Sequence, residues 1–514
     1  MTSARVIAVS LSLMGACGPA DRATTPHPVV ATPEALPVAT PEHSAESDML
    51  GTKPTVGDGG AFVPPVPEEF KLPNGLRVWL LPRPSVPLVA MTMVVVGAGA
   101  NSDKLEESGL AHLTASMLDE GAGKRSAIEF AQAVETLGAS FSARVDGQAA
   151  YISMSVLKKN WNDAISLFRD AVIAPTFRKP DFERVHAQWR NDLKQRAKDP
   201  DAVARVVMRR AVTNKPPWDG LGSAATRLTP ERVRKFHRGA YEPGQCALIV
   251  VGDVSRTSLE QPLTRAFGNW KDGAVRGFSG RGAGVGSTGA EPTLVIVDRP
   301  DAPQSVIGFA REGLSLLDDD YPIAGRANVA LGASFTSRLN LDLREKHGWT
   351  YGARSRFSAT NVAPMFVAWA AVETSVTIDA ASAMLKDIRE FAANGLTEDE
   401  VGKTRSLSRA HLVEVYSTVD SMAEHLALLA ASGADSKADA EHATVRDNAD
   451  ATKLNVVAKK YFSTRTERID DRQRSHFVIV GPLMKLRPRL AELGLGEPQV
   501  RDEEGNIIKK VTNK

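Results

Sequence analysis

Two hydrophobic periods alternate along the chain. Phe70-x-Leu72-x-Asn74-Gly75-Leu76-x-Val78-x-Leu80 places apolar residues at every second position around Asn-Gly, which predicts a hairpin. Leu88 to Val96 is a continuous apolar, β-branched run and predicts a buried strand. From Leu105 to Leu118 the spacing becomes helical, with Leu110, Leu113 and Leu118 on one side. Ile128 to Leu137 predicts a second helix, and Phe141 to Val156 two strands around Asp146-Gly147. Trp161 to Val172 and Phe182 to Lys198 predict further helices. The last should stop at Asp199, because Pro200 lacks an amide donor and disfavours a helical residue before it.

A second set of elements repeats this plan. Cys246 to Asp253 is a buried strand ending in a turn, and His476 to Pro482 closes another module in the same way. Each follows a helical, Tyr-containing approach, Phe236 to Tyr241 and Val456 to Tyr461. Thr229 and Thr397 both read as helix N-caps. The economical reading is two copies of one α+β unit, over residues 68–270 and 292–493. The Gly-rich, charged stretch from Lys271 to Glu291 would link them. Residues 494–514 are polar and are expected to fray.

Composition narrows the function classes. With 514 residues, 43% hydrophobic and 24% charged, the chain is neither wholly disordered nor polytopic. Sixty-three Lys and Arg against 61 Asp and Glu leave a formal charge of +2, so there is no basic footprint for nucleic acid. Two cysteines exclude a disulfide framework and a cysteine-built zinc site. Residues 1–16 read as a signal peptide. Leu13-Met14-Gly15-Ala16-Cys17 resembles a bacterial lipoprotein signal, with Met14 where leucine is usual. On that reading Cys17 is lipidated; the alternative is an ordinary secretory signal cut near Ala16. Gly18, in place of an acidic residue, favours the outer membrane, facing the periplasm. Residues up to Pro67 are Pro-, Ala- and Thr-rich and read as a disordered tether, so the folded body should begin near Glu68.

Chemistry concentrates in two segments. Gly109-Leu110-Ala111-His112-Leu113-Thr114-Ala115-Ser116-Met117-Leu118 resembles the metal-binding helix of the pitrilysin/insulinase family of zinc peptidases, the inverzincins, whose pattern is H-x-x-E-H. His112 matches the first histidine; Ala115 stands in place of the Glu and Ser116 in place of the second histidine. The family's third ligand, a Glu on a later helix, corresponds to Asp192. The second segment runs from Thr336 to Tyr351: a helix ending at Gly348, then a strand from Trp349. In the family an Arg on this helix and a Tyr seven residues on hold the scissile carbonyl, and Arg344 and Tyr351 fall on those positions.

The resemblance implies an α+β fold of two homologous metallopeptidase-like (LuxS/processing-peptidase-like) modules. It also implies a peptide added as a strand near Gly138 to Val145, where Ser142 replaces the usual Asn. Since the metal positions are altered and the Arg/Tyr pair is intact, the chain is expected to be the non-zinc subunit of a two-chain peptidase. It would bind no cofactor itself and would meet unfolded peptides together with a zinc-bearing homologous partner. A non-catalytic scaffold or peptide-binding lipoprotein is the second reading, and a rebuilt metal site on His112 and Asp192 the third.

Overall fold

A computed structural model describes residues 60–271, 291–358, 360–465 and 475–508. Cys17, the signal segment and nearly all of the predicted Gly-rich linker lie outside these residues. Residues 58–514 form one unit.

The first half supplies strands β1 (Glu68–Lys71), β2 (Arg77–Pro82), β3 (Leu88–Val96), β4 (Ser140–Val145), β5 (Ala149–Leu157) and β6 (Cys246–Gly252). Its helices are α1 (Leu110–Ala115), α2 (Ala127–Thr136), α3 (Trp161–Ile173), α4 (Lys179–Arg196), α5 (Pro200–Thr213), α6 (Pro230–Ala240) and α7 (Arg256–Phe267). The second half has β7 (Thr293–Asp298), β8 (Gln304–Glu312), β9 (Ala353–Phe357), β10 (Met365–Glu373), β11 (Ser475–Gly481) and β12 (Gln499–Val500). It also has α8 (Tyr321–Leu331), α9 (Arg338–Asn340), α10 (Thr377–Asn394), α11 (Glu398–Val415), α12 (Val419–Ser432), α13 (Ala438–Asn448), α14 (Ala451–Tyr461) and α15 (Leu483–Leu486).

The strands form two six-stranded sheets, ordered β1-β2-β6-β3-β5-β4 and β12-β7-β11-β8-β10-β9. The two plans correspond. The Asn74-Gly75 hairpin pairs β1 with β2. The fully buried strands β6 and β11 lie parallel to β2 and β7, and antiparallel to β3 and β8. The helices correspond as well: α4 and α11 have 18 residues each, α5 and α12 have 14, and α6 and α14 have 11. Thr229 caps α6 and Thr397 caps α11, as expected for each helix, yet by this order the two caps are not equivalent positions.

Each half covers one face of the other. On their inner faces the sheets pack against their own helices, through residues such as Leu113, Phe168 and Trp189 or Leu331, Met384 and Phe391. The outer face of the first sheet, with Trp79, Val94 and Ile249, is covered by Met422, Leu426 and Leu429 of α12. The outer face of the second, with Val295, Val306 and Val478, is covered by Val203, Val207 and Met208 of α5. Burying each such side chain is worth roughly 1.5–3 kcal/mol, so this exchange locks the halves into one body.

Four boundaries differ from expectation. The stretch Leu105 to Leu118 is not one helix. Gly109 sits at φ +102, and Asp103 accepts the Gly109 and Ala111 amides at 2.9 and 3.1 Å, so a 3₁₀ turn ends and α1 starts there. A side chain at Gly109 would also meet the Trp189 ring, 2.4 Å from an added Cβ. The strand expected from Trp349 begins at Ala353, because Thr350 Oγ1 accepts the Gly352 amide and also bonds its carbonyl, holding a turn. Tyr351 is therefore on that turn. The predicted tether already packs on the body at Phe62, whose ring lies 5.6 Å from that of Tyr416. The tail packs on the body: β12 pairs with β7, and Arg210 of α5 donates to Glu504 and Asn506 at 3.2 Å.

One buried histidine makes the body acid-sensitive. His237 of α6 donates from Nε2 to the Val172 carbonyl at 2.9 Å, and burial lowers its pKa from 6.5 to about 4. Between these values the unfolded chain binds a proton that the folded chain refuses. The stabilisation is thus full above pH 6.5 and is lost as pH falls towards 4, amounting to roughly 3 kcal/mol. Denaturant titrations across this range should lose about one proton's worth of slope in His237→Gln; an unchanged slope would place the sensitivity elsewhere.

Candidate functional site

α1 presents His112 and Ser116 on its partly exposed face, one turn apart, while Ala115 is turned into the core. Ser116 Oγ donates to the His112 carbonyl at 3.0 Å. Asp192, exposed on α4, accepts from Gln188 Nε2 at 2.8 Å. Burial holds the His112 imidazole below its ordinary pKa; Asp219 and Asp192 oppose this and Arg196 reinforces it. His112 is therefore neutral at pH 7.

A catalytic zinc takes three protein ligands and keeps one position open. The residues at the family's ligand positions offer one imidazole, one short carboxylate already engaged by Gln188, and a hydroxyl committed to the backbone. Ala115 supplies no base for a water. The donor set does not fit the ion, and among the described residues no group of three or more His, Cys, Asp or Glu is placed to hold a metal.

His112 instead lines a cavity of about 540 Å³ between the halves. Around it stand the end of edge strand β4, the C-terminal turn of α4, α5, the loop 217–219, and β9 with β10. Neither Arg344 nor Tyr351 lines this cavity. They follow α9, which runs on as a π-helical turn over Leu341–Lys346. Leu339 and Leu343 anchor this segment in the core, and Gly348 at φ +65 ends it.

Arg344 lies 3.0 Å from Glu345 and stacks its guanidinium 4.2 Å from the Phe335 ring centroid. Phe335 is 67% exposed and Tyr351 is 94% exposed. A half-buried arginine and two exposed aromatic rings thus belong to the second half. Phe335 is the member that sequence reasoning missed. Its one signal is a large aromatic in the small-residue loop Ala333-Ser334-Phe335-Thr336, directly before the helix.

Comparison with known proteins agrees with this architecture. Residues 83–219 match the family described as Insulinase (Peptidase family M16), and residues 227–407 match the one described as Peptidase M16 inactive domain. The chain belongs to peptidase family M16, the pitrilysin/insulinase family. An uncharacterized zinc protease of Streptomyces coelicolor is 25% identical over 340 residues, spanning 65% of this chain and 73% of that protein. The non-peptidase homolog YmxG of Helicobacter pylori is 22% identical over 328 residues, spanning 62% and 73%. Among solved structures, a peptidase M16 inactive domain from Pseudomonas fluorescens has a TM-score of 0.72 at 20% identity, covering 81% of this chain and 98% of that one. A protease from Helicobacter pylori has a TM-score of 0.73 at 16% identity, covering 81% and 100%. These likenesses establish the fold.

Proposed function

We propose that this chain is the non-zinc subunit of a two-chain peptidase, lipid-anchored through Cys17 at the cell envelope, in the outer membrane facing the periplasm. A homologous partner with an intact H-x-x-E-H would supply the ion and its activated water. The observation that carries the reading is an asymmetry. The metal positions hold Ala115, Ser116 and a hydrogen-bonded Asp192, while Arg344, Phe335 and Tyr351 face outward with no metal chemistry of their own. The relative named a non-peptidase homolog and the match to an M16 inactive domain support it.

In the paired assembly Arg344 donates to the scissile carbonyl of an unfolded peptide, and Tyr351 hydrogen-bonds the same oxygen as charge develops on it. Phe335 steadies the Arg344 guanidinium by stacking on it. Mixing this chain with a zinc-bearing homologue should create chelator-sensitive peptide hydrolysis that neither chain shows alone. If no such homologue gains activity in the mixture, the subunit role is wrong and the scaffold reading takes its place.

A further inference from the structure

The cavity beside His112 carries a charge pattern that the zinc account does not use. Five guanidiniums line it, from Arg144, Arg196, Arg205, Arg209 and Arg356, against one carboxylate, Asp219. Three have acidic partners: Arg144 with Glu424, Arg196 with Asp219, and Arg205 with Asp201. Arg209 and Arg356 make no ion pair among the described residues, although the charge of Asp146 acts on Arg209.

Arg209 is buried, donates from Nε to the Pro216 carbonyl and from Nη2 to Asn101 Oδ1, both at 2.7 Å, and keeps Nη1 without an acceptor among the described residues. Burial lowers its pKa to about 10, which still leaves it charged. Arg356, exposed on β9 and 5.5 Å from the Trp369 ring centroid, has its pKa lowered by partial desolvation and by the neighbouring Arg205. With five guanidiniums against one carboxylate on its lining, and two of them in no ion pair, the cavity has an anion as its complementary occupant.

The remaining walls decide what kind of anion. Val206, Met208, Val367 and Trp369 are apolar and shape a volume in the range of ligand sites. Inorganic anions or nucleic acid would leave those walls unmatched. β4, the outermost strand of its sheet, brings Ala143 to Val145 to the rim, so an extended backbone can lie alongside. We propose that this cavity binds a carboxylate of a peptide, flanked by apolar side chains, with Arg209 and Arg356 as the anion-binding pair. The inference rests on the peptide-handling part of the proposed function and needs no partner subunit.

Calorimetry on the full-length protein tests it with three probes. These are the peptide Ala-Gly-Val-Leu-Phe as the free acid, the same peptide amidated, and amidated Ala-Glu-Val-Leu-Phe. The free acid, the glutamyl amide or both should bind about tenfold or more tighter than the plain amide. Tight binding of the free acid assigns the site to the C-terminal carboxylates of peptides, and tight binding of the glutamyl amide to acidic side chains. Arg356→Gln, at an exposed position, should bring the charged probes to within about twofold of the plain amide. Arg209→Gln serves as a second variant where circular dichroism shows it folded. Equal affinity for all three probes, no binding at about 1 mM, or an unaltered preference in Arg356→Gln would overturn the proposal. Because no hydrolysis is measured, that failure would be distinct from failure of the mixed-chain peptidase assay.

Discussion

In the assembly of this chain with a zinc-bearing homologue, Arg344→Ala is expected to lower peptide hydrolysis by about 10²–10³-fold, the cost of one oxyanion donor. The loss should fall on kcat, because the donor matters most where charge develops. Thermal unfolding of the chain should hardly move. Arg344 is half-buried, paired among the described residues only with the adjacent, exposed Glu345 and stacked on Phe335, and solvent-screened pairs of this kind contribute about 1 kcal/mol or less. Tyr351→Phe removes only a hydroxyl from a side chain that is almost wholly in solvent, so a fall in kcat there reports on substrate and not on folding. Hydrolysis within about twofold of wild type in both variants would remove the pair from the reaction.

The largest effect on stability is expected at Arg326 of α8. Its side chain has no solvent exposure, and its guanidinium gathers four backbone carbonyls. Nη1 donates to Arg446, Asp447 and Ala449 at 2.8, 3.3 and 2.9 Å, and Nη2 to Val401 at 2.8 Å. Three of these acceptors lie at the C-terminal end of α13, where carbonyls lack helix partners. Arg326 thereby ties α8, α11 and α13 together beneath the helix that crosses to the first sheet. Burial lowers its pKa to about 10, so it stays charged at neutral pH. Arg326→Leu orphans the three carbonyls at the end of α13, while that of Val401 keeps the Thr404 hydroxyl, and should cost roughly 3–5 kcal/mol, read by calorimetry as a drop of about 3–6 °C in Tm. Arg326→Lys, which reaches fewer acceptors, should fall between. A change below about 1 kcal/mol in Arg326→Leu would mean that water or a rearranged side chain replaces the guanidinium.

Much of the frame was legible because it rests on local rules. Asn74-Gly75 specifies a tight turn, Thr229 and Thr397 cap helices, and the buried runs at Cys246 and His476 have the composition of central strands. What escaped depends on partners distant in sequence. An apolar stripe on α5 or α12 shows that the helix is covered, but not that it lies on the other half's sheet. The break at Gly109 follows from the amide bonds of Asp103 and from Trp189, some eighty residues on. Tyr351 reads as strand because nothing in the alternation signals that the Thr350 hydroxyl would compete with the ladder.

The site was legible in its chemistry and not in its layout. H-x-x-E-H positions can be read one by one, so Ala115 and Ser116 were visible at once. The arginine-lined cavity draws on β4, α4, α5 and β9, and of its five guanidiniums only those of Arg196, Arg205 and Arg209 are close together in sequence. Net charge near neutrality hid it, because a sum over the whole chain says nothing of where charges gather.

Metal analysis of the isolated, folded protein after exposure to zinc and removal of the excess tests the account most directly. With Ala115 in the core and Asp192 held by Gln188, the expected content is below about 0.1 zinc per molecule, with no peptide hydrolysis. One tightly held zinc per molecule, together with hydrolysis that a chelator abolishes, would contradict it.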